Sequence, residues 1–143
     1  MWPAARWTLL DASQRRCTAL ELCVAELGIG DRVEVRWDRA EDAGRDPDLR
    51  GRADLVVARR FAGVAVTAEC AAPLLRPGGG LVVSEPPAPS DDRWPPAGLA
   101  ILGLARRAST TVGRSSYTRL DQLTLCPDLF PRRAGVPARR PLF

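Results

Sequence analysis

The chain has 143 residues, 45% of them hydrophobic, enough for one packed domain and too apolar for wholesale disorder. Its 21 basic residues are all arginine and outnumber the 17 acids, giving a net charge of +4. It contains no histidine, which excludes Ser-His-Asp and Cys-His nucleophile systems and mixed Cys/His metal sites.

Trp7-Thr8-Leu9-Leu10-Asp11 reads as a short strand ending in an acid. Ser13 is suited to cap a helix in which Leu20, Cys23, Val24 and Leu27 recur at helical spacing. Gly28 and Gly30 should stop it as left-handed caps. Val33 to Trp37 alternates as a second strand, and residues 38–52 read as a polar loop with at most one helical turn. Ala53 to Ala58 holds the buried run Leu55-Val56-Val57, a third strand. Val64 to Leu75 reads as a helix broken at Pro73. Pro77-Gly78-Gly79-Gly80 reads as a tight turn; it precedes a strand instead of joining a strand to a helix, so it lacks the geometry of a phosphate loop. Leu81-Val82-Val83 is a buried strand and residues 86–96 a proline-rich surface loop. Residues 98–104 suit a short helix and residues 110–125 an antiparallel strand pair. Residues 127–143, with four prolines and four arginines, read as an extended basic tail following a sheet domain over residues 1–126, or else as a segment that wraps the domain with Leu142 and Phe143 packed as a clasp.

The charge is uneven along this order. Residues 1–60 hold eleven Arg and eleven acids, whereas residues 104–143 hold eight Arg and two Asp. A basic end beside a neutral body points to an anionic partner, nucleic acid foremost. No apolar run is long enough for a transmembrane helix, and Met1-Trp2-Pro3 opens no signal-peptide pattern. The expectation is a cytoplasmic protein with no membrane partner. Cys17, Cys23, Cys70 and Cys126 form no C-x-x-C pair and read as small buried hydrophobes, with neither a metal nor a disulfide framework expected.

Strands alternating with helices give an α/β class with a mostly parallel sheet, and such sheets bind ligands at the carboxyl ends of their strands. Asp11 sits at one such end, where an acid accepts hydrogen bonds from ribose hydroxyls. A helix-capping role is its other reading. Arg39-Ala40-Glu41-Asp42 follows the next strand, where a small residue lets backbone amides approach an adenine edge; a solvated acidic loop is the alternative. Arg59 and Arg60 close the third strand, facing either an anion or open solvent.

Together, the runs WTLLDASQRRCTALELCVAELGI, RVEVRWDRAED, ADLVVARRF and AECAAPLLRPGGGLVVSEPP resemble the bacterial small-subunit ribosomal RNA guanine-N7 methyltransferases, the glucose-inhibited division protein B family. The resemblance covers roughly residues 1–85, and the closing PRRAGVPARRPLF is similar to that family's basic end. It implies a Rossmann-like class I methyltransferase sheet, S-adenosylmethionine as cofactor, and ribosomal RNA or the small ribosomal subunit as partner. It implies cofactor contacts at Asp11, Ala40, Glu41 and Arg59, and RNA contacts at Arg60, Arg132, Arg133, Arg139 and Arg140. The family's first strand and glycine-rich loop have no counterpart in this sequence, so the expectation is a sheet lacking both, with open strand edges. Ser84-Glu85-Pro86-Pro87 stands where the family carries a basic, flexible stretch. A methyltransferase of another substrate, or an inactive fragment that binds RNA or a partner protein, are therefore the alternatives.

Overall fold

The computed structural model describes residues 4–87 and 89–143; the expectation built on Met1-Trp2-Pro3 lies outside them. The chain divides into two compact units, residues 1–40 and 41–143.

The first unit is a βαβ element. Strand β1 (Trp7–Asp11) pairs in parallel with β2 (Val33–Trp37), Asp11 opposite Trp37, and α1 (Gln14–Glu26) crosses between them. Ser13 caps α1 by accepting the Arg16 amide, and Gly28 follows its end at φ +61°. The inward face of α1 differs from the expected one. Cys17 is buried and Leu20 and Val24 are half-buried, whereas Cys23 and Leu27 are exposed.

The second unit opens with the last three residues of α2 (Ala40–Ala43), the one turn expected in the polar loop. It holds a four-stranded sheet in the order β3-β4-β6-β5. Strand β3 (Ala53–Ala58) pairs in parallel with β4 (Leu75–Glu85). Strands β5 (Leu104–Val112) and β6 (Ser115–Gln122) form a hairpin, antiparallel to each other, with β6 antiparallel to β4. The sheets are thus half parallel and half antiparallel instead of mostly parallel. Helices α3 (Val64–Ala71) and α4 (Pro96–Ile101) join β3 to β4 and β4 to β5. The core gathers Ala68, Ala72, Leu75, Leu81, Leu99, Leu102, Leu104 and Leu120. Four buried alanines in and beside α3, Ala65, Ala68, Ala71 and Ala72, present no long side chain, so neighbouring segments come close.

Three expectations are corrected here. Pro77-Gly78-Gly79-Gly80 is no turn: β4 runs through it, with a register shift against β3 between Ala53 and Leu55. A Cβ on Gly79 would stand 2.9 Å from the carbonyl oxygens of Ala53 and Arg76, so glycine is required by the close approach of backbones. The proline-rich segment 86–96 is not wholly surface, because Trp94 is buried and its Nε1 donates to Glu85 Oε1 at 2.5 Å. Of the two readings of residues 127–143, the extended tail is corrected and the wrapped one holds. Phe130, Pro131 and Pro137 are buried, α5 (Val136–Arg139) forms a helical turn, and Leu142 and Phe143 pack on the core as a clasp. No helix among the described residues is long and apolar enough to cross a membrane.

Candidate functional site

In the first unit the candidate site is the carboxyl end of β1 and β2. The chain turns sharply after Asp11 to start α1, and Asp11 Oδ1 accepts the Ser13 amide at 2.7 Å. Arg16, one turn into the helix, returns its guanidinium fork to the same carboxylate: Nε to Oδ2 and Nη2 to Oδ1, both at 2.7 Å. The guanidinium holds the Asp11 carboxyl below the usual carboxylate range, the Ser13 amide adding to the effect against some desolvation. The arginine is 68% exposed, the carboxylate 24%. Beneath them the Cys17 thiol donates to the Asp11 carbonyl at 3.3 Å. Beside them, Trp37 lies 60% exposed at the end of β2, with Nε1 donating to the Ala12 carbonyl at 3.1 Å. Sequence reasoning missed Arg16 and Trp37. A basic residue five positions after a strand-terminal acid, and a tryptophan that ends a strand, were the available signals.

From Ala40 onward the sequence-predicted residues are spread more widely along the chain. Ala40 and Glu41 open α2; Glu41 Oε1 accepts the Gly135 amide at 2.9 Å, which ties the carboxyl-terminal segment to this turn. Arg59 and Arg60 follow β3, both exposed, Arg60 in the left-handed region at φ +50°. Water solvates both side chains, so their position alone does not demand an anion. Phe61 beside them is 51% exposed. Among the carboxyl-terminal arginines, Arg133, Arg139 and Arg140 are exposed. Arg132 is not a free surface cation. Its Nε and Nη2 donate to the fully buried Glu69 at 2.8 and 2.6 Å, and its amide donates to Glu69 Oε1 at 2.9 Å. Glu85, the acid that departs from the family pattern, also has its side chain buried and pairs with Arg93 at 2.7 Å.

The buried thiols of Cys70 and Cys126 offer no nucleophile. Burial, reinforced by Glu41 and Glu69, pushes Cys70 up to about 12, and burial pushes Cys126 up to about 11 against the pull of Arg50. Both stay protonated at neutral pH.

A profile of the family described as "GidB: rRNA small subunit methyltransferase G" matches residues 1–86. A ribosomal RNA small subunit methyltransferase G of Parasynechococcus marenigrum is 40% identical over 98% of this chain and 59% of its own length. The chain belongs to the small-subunit ribosomal RNA methyltransferase G family. A member of the methyltransferase G family from Symbiobacterium thermophilum is 36% identical over 98% of the chain and 61% of its own length. The chain thus spans about three-fifths of the length of these curated relatives. Among solved structures, a geranyl diphosphate methyltransferase in complex with SAM superposes with a TM-score of 0.64 at 13% identity, covering 83% of this chain and 69% of the other. The [4+2]-cyclase SpnF superposes with a TM-score of 0.61 at 15% identity, covering 85% and 67%. The chain therefore has the Rossmann-like class I methyltransferase fold, a fold that also carries other chemistry.

Proposed function

We propose that this chain serves S-adenosylmethionine-dependent methylation of guanine N7 in small-subunit ribosomal RNA. The observation that carries the reading is the 40% identity to a methyltransferase G over 98% of the chain. Asp11 supports the cofactor assignment through its donor set. The two parallel N–H groups of Arg16 occupy both carboxylate oxygens, the same pattern that two vicinal ribose hydroxyls present. An exposed arginine can rotate away and leave the carboxylate to the diol. Trp37 would offer an aromatic face beside it. Ala40 and Glu41 are the adenine-side residues of this reading, although Glu41 also holds Gly135. Arg59 would take an anion, either the cofactor's carboxylate or an RNA phosphate.

When bound, the cofactor supplies an electrophilic methyl group on a sulfonium. Guanine N7 bears a lone pair and no proton, so no general base is needed and a chain without histidine is chemically sufficient. The protein's task is to hold the base in line and exclude alternatives, which is catalysis by positioning. Arg60, Arg133, Arg139 and Arg140 would hold RNA phosphates without reading sequence, while Arg132 stays with Glu69.

The test is aniline scission at N7-methylguanine in small-subunit RNA from cells with and without the gene. Loss of one scission site on deletion, restored by the gene and not by an Asp11→Ala copy, is expected. An unchanged scission pattern overturns the reading.

A further inference from the structure

The β5–β6 hairpin has a composition that the fold itself does not require. From Arg106 to Arg119 it carries four arginines, six serine or threonine hydroxyls and one tyrosine, with no acid among them. Every residue from Arg106 to Ser115 is exposed, so both faces of the hairpin's distal half stand in water. Only its proximal end enters the core, through Leu104, Thr118, Leu120 and Gln122. Strand β5 pairs with β6 alone and forms the outer edge of the sheet.

The charges are ordered. Asp121 receives Arg107 Nη1 at 2.8 Å and Arg119 Nε at 2.9 Å, so one acid orients two guanidiniums and leaves their sum positive. Arg119 also lies along β4, within 3.4 Å of where a Cβ on Gly80 would stand. Arg106 donates to Ser109 Oγ at 2.9 Å. Arg114 stands in the exposed turn between the strands. Hydroxyl pairs Ser109–Thr118 and Thr111–Ser116 cross between the strands at 3.1 Å. Tyr117 is 37% exposed. Arginine forks and hydroxyls are the groups that grip phosphate oxygens, and an exposed aromatic ring can stack on an unpaired base.

We propose that the β5–β6 hairpin is an RNA-gripping arm, in which Arg106, Arg107 and Arg114 neutralise backbone phosphates. The proposal rests on the ribosomal RNA reading above and adds to it a surface separate from the carboxyl-terminal arginines. Arginines on an edge strand also deter edge-to-edge pairing between copies, which is the competing explanation.

The experiment is filter binding of the full chain to protein-free small-subunit ribosomal RNA across a salt series. In a triple variant, Arg106→Gln, Arg107→Gln and Arg114→Gln, the slope of log affinity against log salt should fall by about 2, since each lost phosphate contact removes about 0.7–0.9. Affinity at low salt should fall at least about tenfold, and the corresponding triple lysine variant should restore most of it. Arg114→Glu alone, in an exposed turn, should weaken binding without altering the thermal melt; it decides the matter if the triple variant does not fold. Unchanged affinity and slope, with self-association instead, overturn the arm and leave the ribosomal RNA reading standing. A wild-type chain that binds no RNA at any salt overturns both.

Discussion

Asp11 meets Arg16 through both carboxylate oxygens, and the arginine is mostly in water. An exposed ion pair of this kind is weak, so it can yield to a ligand offering two hydroxyl donors. If the ribose diol takes the place of the guanidinium, removing the guanidinium should help. Arg16→Ala is expected to tighten S-adenosylmethionine binding about threefold, a modest gain in keeping with a surface pair, read by calorimetric titration. Asp11→Ala should abolish it. The same pair has a pH signature. Because Asp11's folded carboxyl titrates below its usual 3.8, the unfolded chain binds the proton first as pH falls. The pair's contribution is therefore complete above the ordinary carboxylate range and is lost as pH drops through the lower folded value. Urea midpoints of wild type should fall faster below 3.8 than those of Asp11→Asn, and parallel curves would remove the pair from the stability account. The acid itself was legible in the sequence, since strand-terminal position and residue type are local facts. Its partner was not singled out, because the Arg16 fork closes only once the turn after β1 has brought the start of α1 back over the strand end.

Among the elements, the carboxyl-terminal segment shows how a stretch without sequence periodicity can still be built into a fold. Arg50 donates to the carbonyls of Gly44, Phe130, Cys126 and Pro127, Glu41 holds Gly135, and Glu69 holds Arg132. Arg132→Ala would leave the buried Glu69 carboxylate without its counter-charge, held only by the backbone amide of residue 132. About 2–3 kcal/mol of stability should be lost in urea unfolding, less than a fully buried pair because the arginine keeps a quarter of its side chain in water. Phe143 supplies a second anchor: its ring fills the space that a Cβ on Gly98 would occupy. Gly98→Ala should therefore displace Phe143 and destabilise by about 1–3 kcal/mol. A Phe143→Ala background should cancel much of that loss, since two changes at one contact do not add. Additive losses would mean that the ring does not hold the segment there. These partners lie 63 and 45 positions apart in the chain, beyond the reach of spacing rules, which is why the sequence left the extended and the wrapped readings of the segment both open. By contrast β1, β2 and β3 were found to the residue, because alternation and flanking glycines are local. Strand β4 was only half visible: its first half is proline and glycine, and the neighbouring carbonyls of β3, not local propensity, keep it extended.

At the scale of the whole molecule the two units differ in how much they bury. The second unit holds a continuous core of leucines against a four-stranded sheet. The first has two strands and one helix, and Cys17 is its one buried hydrophobic side chain among the described residues. Leu22, Leu27 and Trp37 there are each at least 60% exposed. Two strands with a thin apolar face are marginal on their own, and regions with few buried contacts open most readily. Amide hydrogen exchange should report this division directly. The amides of β1 and β2 are expected to exchange at least about a hundredfold faster than those of β4 and β6, reflecting local opening well below the global unfolding free energy. S-adenosylmethionine, if Asp11 and Trp37 hold it, should slow exchange in β1 and the start of α1 before it slows any in the β5–β6 hairpin, because binding stabilises first what it contacts. Small-subunit RNA should do the reverse. Equal protection of the two units in the free chain would mean that the strand edges of β1 and β2 gain stability from something other than the packing described, and would remove the ground for treating the first unit as the labile half.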